Sequence, residues 1–209
     1  MKKKYQIVFI GPPGSGKGTQ AKLLSKYLGV PCVSIGRILR QQIKRNTKVG
    51  QQVKNYVNKG KLVPGEVVNQ IMENYIKKHQ QGFVLDGYPR EYRQAKFLDN
   101  LTDLTDIFEI TLDNKIAKER ISGRRNCRCG RIYHIKYKPP KKNNKCDVDG
   151  LKLYIRADDK PVAIIKRLNL YRRKARKISA LFRKKHILHK VDGRPSIAEI
   201  HQSVIKKLK

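Results

Sequence analysis

The apolar run Ile7-Val8-Phe9-Ile10 passes directly into Gly11-Pro12-Pro13-Gly14-Ser15-Gly16-Lys17-Gly18-Thr19. Four consecutive apolar residues before a turn read as a strand covered on both faces, the environment of a parallel sheet with crossover helices. A glycine-rich corner between such a strand and a helix brings backbone N–H groups close to an anion, and the helix N-terminus adds positive dipole. Lys17 supplies a mobile point charge for terminal phosphates. Gly14, Ser15, Gly16, Lys17, Gly18 and Thr19 are therefore candidate phosphate-binding residues. Gly18, however, occupies the place where such a loop ordinarily carries a hydroxyl for magnesium. Another group must hold the metal.

The rest of the chain repeats the same alternation. Strands are expected at Tyr5–Ile10, Pro31–Ser34, Phe83–Asp86, Asp106–Leu112 and Leu188–Val191, with helical patterns between them. Leu23, Leu24, Tyr27 and Leu28 fall at helical spacing, as do Leu168, Tyr171, Ala175, Ile178 and Phe182; core packing is expected for all of them. Two stretches break the alternation. Residues 34–63 are polar and helix-prone, and residues 123–159 are rich in Gly, Pro, Cys, Lys and Tyr. The expected partition is a core of 1–33, 64–122 and 160–209, with two insertions at 34–63 and 123–159. A structureless loop of the second insertion's length is uncommon, so a small folded unit is expected there.

Charge is the compositional extreme: 49 Lys and Arg face 16 Asp and Glu, a formal +33. Such a field raises encounter rates with polyanions and makes binding sensitive to salt. No stretch approaches the roughly 20 apolar residues of a membrane span. The start, Met1-Lys2-Lys3-Lys4 followed by Tyr5 to Ile10, is too short in its apolar part for a signal peptide and enters the glycine loop without a cleavage site. A cytoplasmic protein is expected. Its four cysteines then argue against structural disulfides. Three of them, Cys127, Cys129 and Cys146, share one basic, loop-like stretch that suggests a metal site.

Further motifs follow in order: Ser34-Ile35-Gly36-Arg37-Ile38-Leu39-Arg40, Lys61-Leu62-Val63-Pro64, Gly82 to Arg90 with Asp86-Gly87-Tyr88-Pro89-Arg90, and Gln94-Ala95. Then come Arg120-Ile121-Ser122-Gly123-Arg124-Arg125, Tyr133-His134, Pro139-Pro140, Arg156-Ala157-Asp158-Asp159 and Arg167-Leu168. Together with the glycine loop, this series resembles the nucleoside monophosphate kinases, and within them adenylate kinase of the long-lid bacterial type. The resemblance covers nearly the whole chain. It implies an α/β, P-loop NTPase-type doubly wound parallel sheet with an inserted helical NMP-binding segment and a small zinc-ribbon-like lid. It also implies a monomer that transfers a phosphoryl group reversibly from magnesium-bound ATP to AMP, giving two ADP.

Residue by residue, the resemblance assigns Lys17, Arg90, Arg124, Arg156, Arg167 and Asp86 to the reaction centre. The loop residues 14–19 with Arg120, Arg124, Ile132, Tyr133 and Pro195 would receive ATP. Ile35, Arg40, Lys61, Leu62, Val63, Gly87, Tyr88, Pro89, Arg90, Gln94, Arg156 and Arg167 would receive AMP. Guanidinium forks suit phosphate because they bind it bidentately. Asp86 ends an apolar strand, where a carboxylate can reach Mg2+ through water while the phosphates supply direct oxygen ligands. Gln94 carries an amide that can donate and accept on one base edge.

In long-lid relatives the cysteine stretch often holds Zn2+ through Cys-x-x-Cys or Cys-x-x-Asp pairs. Here Cys127, Cys129, Cys146 and Asp149 would complete a tetrahedral structural site. The first pair is one residue short of that spacing, free thiols or a redox pair are the alternatives, and His134 is a substitute ligand for Asp149. Cys32, in an apolar strand, reads as a small core residue. Two positions depart from the family: Ile35 replaces a threonine near the acceptor base, and Arg37 replaces an acid near the metal. Arg37 could contact phosphate, pair with Asp158 or Asp159, or slow metal binding. The runner-up activities are a kinase for UMP or CMP and a polyanion-binding protein on a kinase fold.

Overall fold

A computed structural model describes residues 4–208, so Met1 to Lys3, with the basic start of the sequence, and Lys209 lie outside the described residues. In chain order the strands are β1 (Tyr5–Ile10), β2 (Cys32–Ser34), β3 (Gly82–Asp86), β4 (Asp106–Thr111), β5 (Arg124–Asn126), β6 (Ile132–His134) and β7 (Leu188–Asp192). Five of them form a parallel sheet in the order β2-β3-β1-β4-β7. The helices are α1 (Lys17–Leu28), α2 (Ile35–Lys44), α3 (Lys48–Asn58), α4 (Gly65–Lys78), α5 (Tyr92–Leu101), α6 (Asn114–Ser122), α7 (Pro161–Lys184) and α8 (Ile197–Lys206).

Strand alternation distributes the core over both faces of the sheet. Val8, Ile10, Phe83, Leu85 and Ile107 pack with residues of α4, α5 and α7 on one side. Their neighbours Ile7, Phe9, Val84, Phe108 and Ile110 pack with α1 and α8 on the other. Both faces are dry because crossover helices cover each, which is why the strands read as continuous apolar runs. Phe9 and Phe108 are fully buried and stack with ring centroids 5.2 Å apart. Burying each such ring contributes about 1.5–3 kcal/mol.

The expected strands lie within a residue or two of the observed ones; Pro31 and Leu112 fall just outside β2 and β4. Tyr27 is a correction. It is 61% exposed, making only an edge contact with His201, because it lies at the margin of the apolar stripe on α1. Residues 34–63 contain α2 and α3, which pack closely: a β-carbon on Gly50 would lie 2.1 Å from the Gln42 carbonyl. Thr47 caps α3 by accepting from the Gly50 N–H at 3.0 Å. Within residues 123–159, β5 and β6 pair antiparallel, and isolated bridges such as Asn126 with Tyr154 extend that pairing.

The chain runs from β1 out to β2, returns to β3, then crosses β1 to β4. This reversal of direction creates a crevice at the carboxyl ends of the strands, the place where α/β sheets bind ligands.

Candidate active site

The loop between β1 and α1 opens into that crevice. Gly14 adopts φ +84°, and a β-carbon there would lie 2.6 Å from the Ala117 carbonyl, so the turn requires glycine. Gly18 answers the question raised by the missing hydroxyl. A β-carbon at that position would lie 2.9 Å from an Asp86 carboxylate oxygen. The carboxylate at the end of β3 thus stands directly over the first turn of α1, held there because Asp86 pairs in register with Phe9 of β1. A hard cation bound to phosphates in this loop would find its protein oxygen at Asp86.

Lys17 reaches back to donate to the Pro12 carbonyl at 3.1 Å. Burial lowers its ammonium to about 8, with Asp86 opposing the shift and Arg90, Arg167 and Arg124 adding to it. The same crowding of cations reaches Arg156, which burial and its neighbours Arg40 and Arg124 lower to about 10. Its Nε is buried with no partner. Three arginines are organised by two buried carboxylates just before α7. Arg124 grips Asp159 through Nε at 2.9 Å and Nη2 at 2.6 Å, and Arg167 donates to the same carboxylate at 2.9 Å. Arg167 also meets Asp158 at 3.1 Å, and Arg40 stands 4.0 Å from it. Six cations (Lys17, Arg40, Arg90, Arg124, Arg156 and Arg167) therefore face three carboxylates. The remaining positive charge is suited to phosphate.

Four of these cations, Lys17, Arg40, Arg90 and Arg167, form a shared wall between two chambers, and Arg124 and Arg156 line the larger one. The larger, of about 2450 Å³, is bounded by residues 14–19, Asp86, Arg120, Arg124, Ile132, Tyr133, Arg156 and Pro195. The smaller, of about 130 Å³, is bounded by Ile35, Lys61, Leu62, Val63, Tyr88, Pro89 and Gln94. Lys17, Arg40, Gly87, Arg90 and Arg167 line both. In the smaller chamber Gln94 is buried, and its carbonyl oxygen accepts from the Arg90 N–H at 2.8 Å. That bond orients the amide and leaves its NH2 as the group available to a ligand. Arg90 itself is tied by Nε to the Gly87 carbonyl at 2.7 Å. In the larger chamber Arg120 donates to the carbonyls of Gly193 at 2.7 Å and Arg194 at 3.2 Å. Its guanidinium lies 5.6 Å from the Tyr137 ring centroid.

Beside the β5–β6 pair, Cys127, Cys129, Cys146 and Asp149 bring four ligand atoms within 4.8 Å of one another. Cys127 Sγ lies 3.1 Å and 3.2 Å from the Asp149 oxygens, and Cys129 Sγ lies 3.6 Å from Cys146 Sγ. A tetrahedral ion with bonds of about 2.3 Å separates its ligands by roughly 3.7 Å, so the donor set fits zinc in both chemistry and size. The short Cys-x-Cys spacing is accommodated by a tight turn in which the Gly130 N–H bonds the Cys127 carbonyl at 3.0 Å. His134 is not in the group; its Nδ1 accepts from the Lys136 and Tyr137 N–H groups at 3.0 and 3.2 Å.

The sequence profile of the family described as adenylate kinase matches residues 9–187. A curated adenylate kinase of Caldanaerobacter subterraneus subsp. tengcongensis is 42% identical over 211 residues, covering 97% of this chain and 96% of the relative. One from Archaeoglobus fulgidus is 38% identical over 97% of this chain and 99% of the relative, and one from Acholeplasma laidlawii is 39% identical over 98% of each. The chain belongs to the adenylate kinase family. It is accordingly a phosphotransferase of the nucleoside monophosphate kinase class.

Seen as an adenylate kinase, the chain places its sequence-nominated residues unevenly. Tyr133 lines the larger chamber but is buried, its hydroxyl accepting from the Asp147 N–H at 2.9 Å beside Cys146. Tyr88 is likewise buried, donating to Asn69 at 2.8 Å, and precedes Pro89 through a cis peptide bond. Arg37 lines the larger chamber without pairing to Asp158 or Asp159, whose partners among the described residues are Arg40, Arg124 and Arg167. Cys32 is half-buried against the core rather than enclosed by it. Tyr171, Ala175 and Ile178, expected to be core alone, also line the smaller chamber. Periodicity identifies an apolar helix face but does not distinguish a core wall from a ligand wall. Asn69 and the arginine-organising role of Asp159 carried no signal in the sequence by itself.

Proposed function

We propose that this chain transfers the terminal phosphoryl group of magnesium-bound ATP to AMP, reversibly, giving two ADP. The observation that carries this reading is the pair of chambers meeting at one cationic wall. Two nucleotides whose phosphates point at that wall from opposite sides lie head to head. Phosphoryl transfer demands in-line positioning and charge stabilisation, not a covalent nucleophile. ATP would take the larger chamber, its phosphates in loop 14–19 against Lys17, its base between Arg120 and Pro195. AMP would take the smaller one, with Arg40 and Arg90 on its phosphate and the Gln94 NH2 donating to a ring nitrogen of adenine. Arg124, Arg156 and Arg167 would neutralise charge on the transferring group. Asp86 would hold the Mg2+ that accompanies ATP, an ion that would neutralise phosphate charge.

Closure of residues 34–63 and 123–159 over a core of 1–33, 64–122 and 160–209 would exclude water as a competing acceptor. Cys127, Cys129, Cys146 and Asp149 would hold Zn2+ and so stabilise the second of these segments; with four protein ligands the role would be structural. Among the described residues no helix is long and apolar enough to cross a membrane, and the four cysteines are free. Free cysteines suit a reducing cytoplasm, and the family resemblance suggests a monomer. A coupled assay across AMP, GMP, UMP and CMP tests the reading: AMP should be the preferred acceptor. Faster turnover of UMP or CMP would transfer the assignment to a pyrimidine kinase, and Ile35, buried where the family carries a threonine, would be the residue to examine.

A further inference from the structure

The longest helix, α7, runs 24 residues without a single acid. Its buried side carries Arg167, Tyr171, Ala175 and Ile178 toward the nucleotide chambers. The side about half a turn away is exposed and basic. At about 100° per residue, Arg172, Arg176 and Arg183 fall in one row, and Arg173, Lys177 and Lys184 in a second row about 100° further round. Between the rows lie Asn169 and Ala180, and nearer the helix start Val162. Each row is about 16–18 Å long at 1.5 Å rise per residue.

None of these six cations makes an ion pair among the described residues. The acids reaching α7 are engaged elsewhere: Glu91 with Lys174 at 2.6 Å, Asp99 with Lys185 at 2.5 Å, and Glu109 with Ser179 at 2.9 Å. Salt screens mutual repulsion along such a surface, and an anion extended over a similar length would relieve it further by releasing the condensed counterions. We propose that the exposed face of α7 is a docking surface for the phosphate backbone of double-helical RNA, used while the nucleotide chambers remain open on the opposite face. Four of the six cations are arginines, whose planar forks match phosphate oxygens.

The chemistry of this face selects among polyanions. From Lys166 to Lys184 no large apolar side chain is exposed; the exposed apolar residues of α7, Val162 and Ile165, lie at its other end. A lipid surface would require apolar residues to enter the acyl boundary. Single strands would require aromatic side chains for base stacking, and none stands on this face. Backbone contact without base readout is what remains, so binding should be independent of sequence and steeply dependent on salt.

Two fourfold variants of equal net charge separate this face from the overall field. Arg172→Gln, Arg173→Gln, Arg176→Gln and Lys177→Gln neutralise the α7 face; Lys26→Gln, Lys78→Gln, Lys206→Gln and Lys207→Gln neutralise exposed positions elsewhere. Affinity for a fully paired RNA hairpin is measured by filter binding between about 50 and 200 mM salt, with kinase turnover as the fold check. The α7 variant should keep wild-type turnover while its salt slope flattens by about 3.6. Over that salt range the wild type would then lose about a hundredfold more affinity than the variant. The scattered variant should follow the wild type closely. Equal losses in both variants would show a diffuse field and overturn the proposal. So would RNA binding too weak to measure at the upper salt, alongside α7-dependent binding to anionic phospholipid vesicles.

Discussion

Asp159→Asn is the substitution that tests how the reaction centre is held before substrate arrives. The Asp159 side chain is 0% exposed, and its two oxygens receive three charge-assisted bonds of 2.6–2.9 Å from Arg124 and Arg167, which are 19% and 18% exposed. Asparagine keeps the shape but loses the charge, and turns an NH2 toward guanidinium donors. Removing one partner of a buried ion pair costs about 3–5 kcal/mol. Because both guanidiniums keep some water, the lower end applies, about 3 kcal/mol. For a chain of this size that lowers the melting temperature by roughly 6–12 °C. The assay is thermal unfolding by circular dichroism, with and without a bisubstrate dinucleotide joining two adenosines through phosphates. Without ligand the full loss should appear. With ligand the gap should narrow, because phosphate oxygens replace the missing carboxylate at Arg124 and Arg167. An unliganded variant melting within about 2 °C of wild type would refute the idea that Asp159 organises these arginines.

Lys17→Met should leave the melting profile intact and cut turnover by about 10²–10³; unchanged turnover in the coupled assay would contradict the placement of phosphates in loop 14–19. The lowered value of Lys17, about 8, has its own consequence. Above that pH the free enzyme holds this amine largely neutral, while bound phosphate favours its charged form, so ATP binding at pH 9 should take up a proton and weaken as pH rises through 8. Calorimetry in buffers of different ionisation enthalpy measures the uptake, which Lys17→Arg should abolish. Asp158 gives the acid counterpart. Burial raises its carboxyl, but Arg167, Arg40, Arg156 and Arg124 outweigh this and hold it below its usual 3.8. Its contribution to stability is therefore present above pH 3.8 and lost as pH falls through the depressed value, a loss that Asp158→Asn should remove from an acid-unfolding curve. Chelation of zinc should lower the melting temperature of protein purified without chelator while leaving loop 14–19 able to bind nucleotide; metal analysis that finds no zinc would remove the ion from the account.

The fold was legible because both of its signals are local. Continuous apolar runs such as Ile7 to Ile10 announce strands buried on two faces, and the glycine loop marks the corner into α1. The site was legible only as far as residue types reveal it. Arginines at motif positions could be nominated one at a time, but the sequence does not show that Arg124 and Arg167 share one carboxylate, since Asp159 lies 35 and 8 residues from them. Tyr27 failed for a different reason: helical spacing locates a stripe but not its edges, and a residue at the margin is decided by what packs opposite. Ile178 is core as expected, yet with Tyr171 it also lines the smaller chamber; a ligand chamber and a core are both apolar, differing only in whether protein atoms fill the space.

Scarcity of acid sharpens the electrostatics of the site. With 16 carboxylates against 49 basic side chains, the average basic group has no partner, and the field at any point is set by the few acids nearby. Three of those acids, Asp86, Asp158 and Asp159, stand in the cleft, and two of them are buried under arginines. Without them the six cations of the cleft would repel one another, and the Arg124 guanidinium would lose both of its side-chain bonds. With them the cleft is ordered yet still positive, so phosphates arriving from either chamber would find aligned donors without the cost of assembling them. In the proposed reaction the carboxylates would act through the arginines they align, while the unpaired cations of α7, lacking any such acids, stay open to an extended anion outside the site.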